Sequence, residues 1–103
     1  MNYQGHYSYN SISALLSAPN SKGIYYCGFV NQQGLLVPMY VGRARGDGVT
    51  IRSRLLDHLR NDKWLGVTHF GFTVYSTELF IDAIEGIEIS RFQPIYNTQG
   101  RSF

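Results

Sequence analysis

The chain has 103 residues and a net charge of +2, too small an excess to argue for nucleic acid by itself. At roughly 100–200 residues per domain this length allows a single domain, and 44% hydrophobic against 16% charged residues excludes a disordered tail. No apolar run approaches the ~18 residues needed to cross a bilayer, and the polar, aromatic first 22 residues predict no secretory signal.

In chain order, residues 1–9 are tyrosine-rich without a clear period. A short helix follows over 12–17, with Asn10 or Ser11 as its cap and Pro19-Asn20 as its stop, so 1–21 reads as an N-terminal extension. Residues 22–30 (KGIYYCGFV) are aromatic and β-branched and predict a strand. Its Cys27, the single cysteine, reads as a small buried hydrophobe and is compatible with a reducing cytoplasm. After a turn at 31–34, a second strand at 35–41 completes an antiparallel hairpin, with Pro38 favouring an edge or irregular position. Residues 42–48 (GRARGDG) form a loop, and 49–61 a helix with Ile51, Leu55 and Leu59 at i, i+4 and i+8 and Leu56 widening the stripe. A third strand is expected at 67–75. A helix then spans about 78–91, capped by Ser76 or Thr77, with Leu79, Phe80, Ala83, Ile84 and Ile87 as its apolar face. Pro94 stops it, and 95–103 is a short tail. Trp64 and Phe70 read as core. The expected architecture is an α+β domain: a small three-stranded antiparallel (mixed) sheet flanked by helices, its core in residues 22–97.

Charge is unevenly spread. Six basic residues from Arg43 to Lys63 face three acidic ones, whereas Glu78, Asp82, Glu85 and Glu88 later face only Arg91 up to residue 100. A basic segment suits a phosphate backbone and an acidic helix suits a divalent cation, although two ordinary solvated helix faces have the same pattern. The scattered His6, His58, His69 and Cys27 make no zinc-ligand spacing. Gly42, Gly46 and Gly48 are not followed by the Lys-Ser/Thr of a nucleotide-binding loop.

Two tripeptides end neighbouring strands, Gly23-Ile24-Tyr25 and Tyr40-Val41-Gly42, and a hairpin would bring their phenols near one end or face of the sheet. Arg54 and His58 stand four apart on the next helix, about 40° apart around its axis and at the border of its apolar stripe. Glu85 follows, then Asn97 in a Pro-x-Tyr-Asn ending. From Gly23 to Asn97 this series resembles the GIY-YIG nuclease domain family, which includes catalytic domains of homing endonucleases and of the UvrC excision-repair subunit. Gly23–Tyr25, Tyr40–Gly42, Arg54, His58, Glu85 and Asn97 take the places of the family's motif in order; Arg43 stands where a lysine is common.

The resemblance implies a metal-dependent endonuclease acting on DNA, with one Mg2+ (or Mn2+) held by Glu85 and 5′-phosphate and 3′-hydroxyl products. Helical periodicity alone does not choose Glu85 over Glu88. Arg54 would donate to the phosphate oxygens, and Arg43 and Arg45 would contact substrate phosphates. Tyr25 would be the general base, with His58 and Tyr40 assisting; Asn97 would orient by hydrogen bonding. An unperturbed tyrosine, with a pKa near 10, needs cationic neighbours for that task. Two other readings stand beside it: a non-catalytic nucleic-acid or partner-binding module on the same fold, and a homo-oligomer packing through residues 1–9.

Overall fold

The computed structural model describes residues 2–98. Its elements are β1 (Gln4–Ser8), α1 (Ser11–Ser17), β2 (Gly23–Val30), β3 (Leu36–Ala44), α2 (Ile51–Asn61), β4 (His69–Val74), a 3-10 turn (Glu78–Phe80), α3 (Ile81–Phe92) and α4 (Ile95–Thr98). The four strands form one antiparallel sheet in the order β1-β4-β2-β3. The α+β class is as expected, but the sheet has four strands rather than three. The additional strand, β1, lies within the expected N-terminal extension. Its sequence QGHYS offers little apolar alternation because it is an edge strand paired only to β4, where Tyr7 packs on Phe70 and Phe72.

The alternation of β2 explains the layering. Tyr25 and Cys27 turn to one face and meet Ala14, Ala18, Ile51, Leu55, Phe70 and Phe72; Ile24 and Tyr26 turn to the other and meet Val41 and Ile81. Helices α1 and α2 therefore cover one face of the sheet, and α3 covers the other. Both hairpin strands are where the sequence predicts them, and β3 is an edge strand, as Pro38 requires. Pro38 pairs with Gly28 just past a register shift at Cys27/Gly28. The strand runs on through Gly42 and Arg43 to Ala44, shortening the expected loop.

Helix α1 is capped by Asn10, whose Oδ1 accepts the Ser13 N–H. Helix α2 starts at a Thr50–Ser53 capping box and buries Ile51 and Leu55, with Leu56 and Leu59 against the same cluster. Helix α3 departs from its expected packing. Ile81 is buried and Ile84, Ile89 and Phe92 pack beneath the sheet, whereas Leu79 (77% exposed), Phe80, Ala83 and Ile87 (63%) face outward. Isoleucines at 81, 84, 87 and 89 spread over roughly 200° of the circumference of this helix, so its sequence period selects no single narrow face. Thr77 makes no capping hydrogen bond. The expected tail begins as the helical turn α4; residues 99–103 lie outside the described residues. Among the described residues no helix is long and apolar enough to cross a membrane.

Candidate active site

The motif glycines are spatial requirements. A Cβ at Gly42 would collide with the Tyr25 ring, and one at Gly23 would collide with the Thr73 carbonyl of β4. The first lets the Tyr25 ring lie across β3; the second lets β2 approach β4.

Behind this contact is a short polar chain. The Tyr25 hydroxyl lies 2.8 Å from Nε2 of His58, and Nδ1 of His58 lies 2.8 Å from a carboxylate oxygen of Asp62. Tyr25 is fully buried and His58 is 7% exposed. Burial lowers the pKa of His58 below its ordinary value near 6.5, with the Asp62 hydrogen bond opposing that shift. His58 is therefore neutral at pH 7. Ionised Asp62 can only accept, so the proton sits on Nδ1, and Nε2 accepts from the Tyr25 O–H. Burial also raises both Tyr25 and Tyr40, with the Arg54 guanidinium pulling each back only in part. Both phenols stay protonated at neutral pH.

The depressed His58 pKa carries a stability consequence. As pH falls, the unfolded chain takes up this proton before the folded one does, so stability declines once pH drops below about 6.5. Urea midpoints at pH 7.5 and 5.5 should fall further for the natural chain than for His58→Gln; equal declines would refute the assignment.

In front of the chain is an open cavity of about 430 Å³ lined by Tyr40, Arg43, Arg45, Val49, Arg54 and Glu85. Five of the sequence-predicted residues, from β3, the following loop, α2 and α3, thus share one wall. The Tyr40 phenol lies within reach of both Tyr25 and Arg54, its ring 6.2 Å from that of Tyr25. Glu85 pairs with Arg43 at 3.3 Å, and its side chain is 19% exposed. Arg43 also pairs with Asp82 (3.2 Å), and Arg45 with Asp82 (3.0 Å) and Glu78 (3.8 Å). The basic segment and the acidic helix of the sequence therefore meet each other at this cavity. Hydrogen bonding by the Gly46 N–H, then by Lys22, holds the Glu78 carboxyl below its usual range.

Three predicted residues do not line the cavity. Tyr25 and His58 lie one layer behind it. Asn97 is buried at the outer edge of β3, where its side-chain amide accepts the Val41 N–H and donates to the Val41 C=O, each at 2.8 Å. It pairs with the edge strand as a neighbouring strand would, directly between Tyr40 and Gly42.

Two contributors escaped the sequence reading. Asp62 is four residues beyond His58, a spacing that places both on one helix face, but nothing distinguishes it there from other surface acids. Trp64, predicted as core, is the centre of an aromatic stack: its ring is 4.6 Å from both Tyr40 and His58, with Tyr9 and Tyr96 further out. Tyr96 in turn donates to the Leu65 carbonyl at 2.7 Å.

Among the described residues no group of three or more His, Cys, Asp or Glu side chains is placed to hold a metal ion. Glu85 offers one carboxylate in an open cavity. That donor set fits a hard cation such as Mg2+, which keeps several waters and draws other ligands from phosphate oxygens.

No family model matches the chain, and the curated proteins compared with it yield no match.

Proposed function

We propose that the chain is a GIY-YIG-like endonuclease that hydrolyses DNA phosphodiester bonds, leaving 5′-phosphate and 3′-hydroxyl ends. The observation that carries this reading is the convergence of Tyr40, Arg43, Arg45, Arg54 and Glu85 on one cavity backed by Tyr25 and His58. DNA is the partner and Mg2+ or Mn2+ the cofactor, in a cytoplasmic setting where buried Cys27 stays reduced. A divalent cation bound at Glu85 supplies charge neutralisation at the phosphate and at the leaving oxygen.

The chain's own residues do the rest. Arg54 donates to non-bridging phosphate oxygens, a charge-assisted contact that strengthens as the phosphorane forms. Arg43 and Arg45 exchange their carboxylate partners for substrate phosphates. General base catalysis belongs to the phenols together with His58, because neither raised phenol ionises alone. The attacking water gives a proton to the Tyr40 oxygen as the Tyr40 proton moves to Tyr25 and the Tyr25 proton moves to Nε2 of His58. The water oxygen bonds phosphorus, the P–O3′ bond breaks, and solvent protonates the departing O3′. Tyr25 thus acts one position behind the water-contacting base that the family resemblance implies, consistent with its complete burial.

Nicking of supercoiled plasmid is expected with Mg2+ or Mn2+ and not with EDTA, and Tyr40→Phe should slow it by about 10²-fold or more. No nicking with either metal would overturn the reading. A second reading, a non-catalytic nucleic-acid grip, draws on the Arg43–Glu85 ion pair, which occupies the carboxylate the cation needs. Salt-dependent DNA affinity without turnover, surviving Glu85→Ala, is its signature.

A further inference from the structure

We propose that Asp62 is a positioning residue that fixes the tautomer of His58, leaving Nε2 free to receive the Tyr25 proton. Its role in catalysis rests on the nuclease reading above; its hold on the imidazole does not. Asp62 closes α2 from the C-cap position, its N–H donating to the His58 carbonyl while its carboxylate takes the Nδ1–H of the same residue at 2.8 Å. A carboxylate at a helix C-terminus sits at the negative end of the helix dipole. Stabilisation of α2 therefore does not explain an acid here, whereas the imidazole contact does.

Among the described residues His58 has no other anchor of this kind. Tyr25 reaches it from β2, Tyr40 packs edge-on from β3 at 5.0 Å, and Trp64 lies beside it at 4.6 Å. On its own helix it faces Arg54, Asp57 and Asp62, of which only Asp62 hydrogen-bonds it. The tautomer matters because an Nε2–H would meet the Tyr25 O–H donor to donor. When His58 takes the relayed proton, the imidazolium finds the Asp62 charge already in place. The device is a carboxylate, an imidazole and a hydroxyl in line, with a phenol where serine enzymes carry an alcohol.

The test uses Asp62→Asn and Asp62→Glu in the full chain. Nitrogen-15 NMR of the imidazoles should show the natural chain's His58 as the Nδ1–H tautomer. Asp62→Asn should lose that preference, because the amide N–H can donate to Nδ1. Cleavage by Asp62→Asn should fall about 10²–10⁴-fold in kcat with KM little changed, while Asp62→Glu recovers part of the rate. A merely structural role predicts a lower Tm instead; relief of the dipole clash predicts a Tm unchanged or raised. An Nε2–H tautomer in the natural chain, or Asp62→Asn keeping both tautomer and kcat, overturns the proposal. If the natural chain does not cut DNA, the nuclease reading fails, and the NMR result alone still decides whether Asp62 orients His58.

Discussion

Arg54→Ala is expected to slow plasmid cleavage by about 10²–10³-fold, equivalent to roughly 3–4 kcal/mol of transition-state stabilisation, the usual cost of removing one preorganised donor. Arg54 lines the cavity from α2 and is the cation that both phenols feel. Removing it deletes the phosphate contact and also lets Tyr25 and Tyr40 rise further. Arg54→Lys should regain only part of the rate, because a point charge cannot reproduce the planar fork that meets phosphate. Glu85→Gln should match or exceed the alanine loss and abolish the response to Mg2+. It keeps the size of the side chain while removing the charge that binds the cation. Single-turnover nicking with gel quantification checks all three; natural rates in either Arg54→Ala or Glu85→Gln would sink the active-site assignment. Because Glu85 is paired with Arg43 in a cavity that Arg45 and Arg54 also line, the free protein should bind Mg2+ poorly, and phosphate from DNA should bring the cation in.

The largest stability effect is expected at Asn97. Its amide satisfies both Val41 backbone groups at the open edge of β3, and all of these atoms are buried. Asn97→Ala leaves a buried N–H and a buried C=O without partners, at about 2–4 kcal/mol. For a domain this small that corresponds to a Tm decrease of roughly 10–25 °C. Asn97→Asp should also destabilise, since a carboxylate still accepts from Val41 N–H but repels the Val41 C=O. Thermal unfolding followed by circular dichroism checks both. A Tm within a few degrees of the natural chain would mean that α4 does not hold the edge. Activity should fall with stability here, because Val41 lies between Tyr40, on the cavity wall, and Gly42, beneath the Tyr25 ring.

These two sites differ in how far the sequence revealed them. The hairpin and α2 were legible because burial is one-sided there: β2 and β3 alternate or run apolar, and Ile51 and Leu55 recur at helical spacing. Strand β1 was not, because an edge strand carrying Gln4, Gly5 and Ser8 need bury only its tyrosines. The inward face of α3 is not legible in the same way, because its isoleucines spread over roughly 200° of the circumference. There the ion pairs of Asp82 and Glu85 with Arg43, a long-range feature, accompany the observed orientation. The motif residues carried type and order but not depth. Nothing in the spacing told that Tyr25 would be sealed behind Tyr40 while Arg43 and Arg45 stayed at the surface, since depth depends on which side of β3 the cavity opens. Asp62 was hidden for a related reason: its role exists only through His58, and His58 gains its meaning only once Tyr25 is folded over it.

The collision awaiting any side chain at Gly42 changes what the two tripeptides mean. They form a single mould and cast, since the absent side chain of one is the slot that receives the ring of the other. Tolerance at position 42 is therefore conditional on the bulk at position 25. A larger residue at 42 becomes admissible only alongside a smaller one at 25, and that exchange removes the hydroxyl next to His58. The epistasis between these positions leaves evolution or an engineer no gradual route that repacks this corner of the sheet and keeps the proton path.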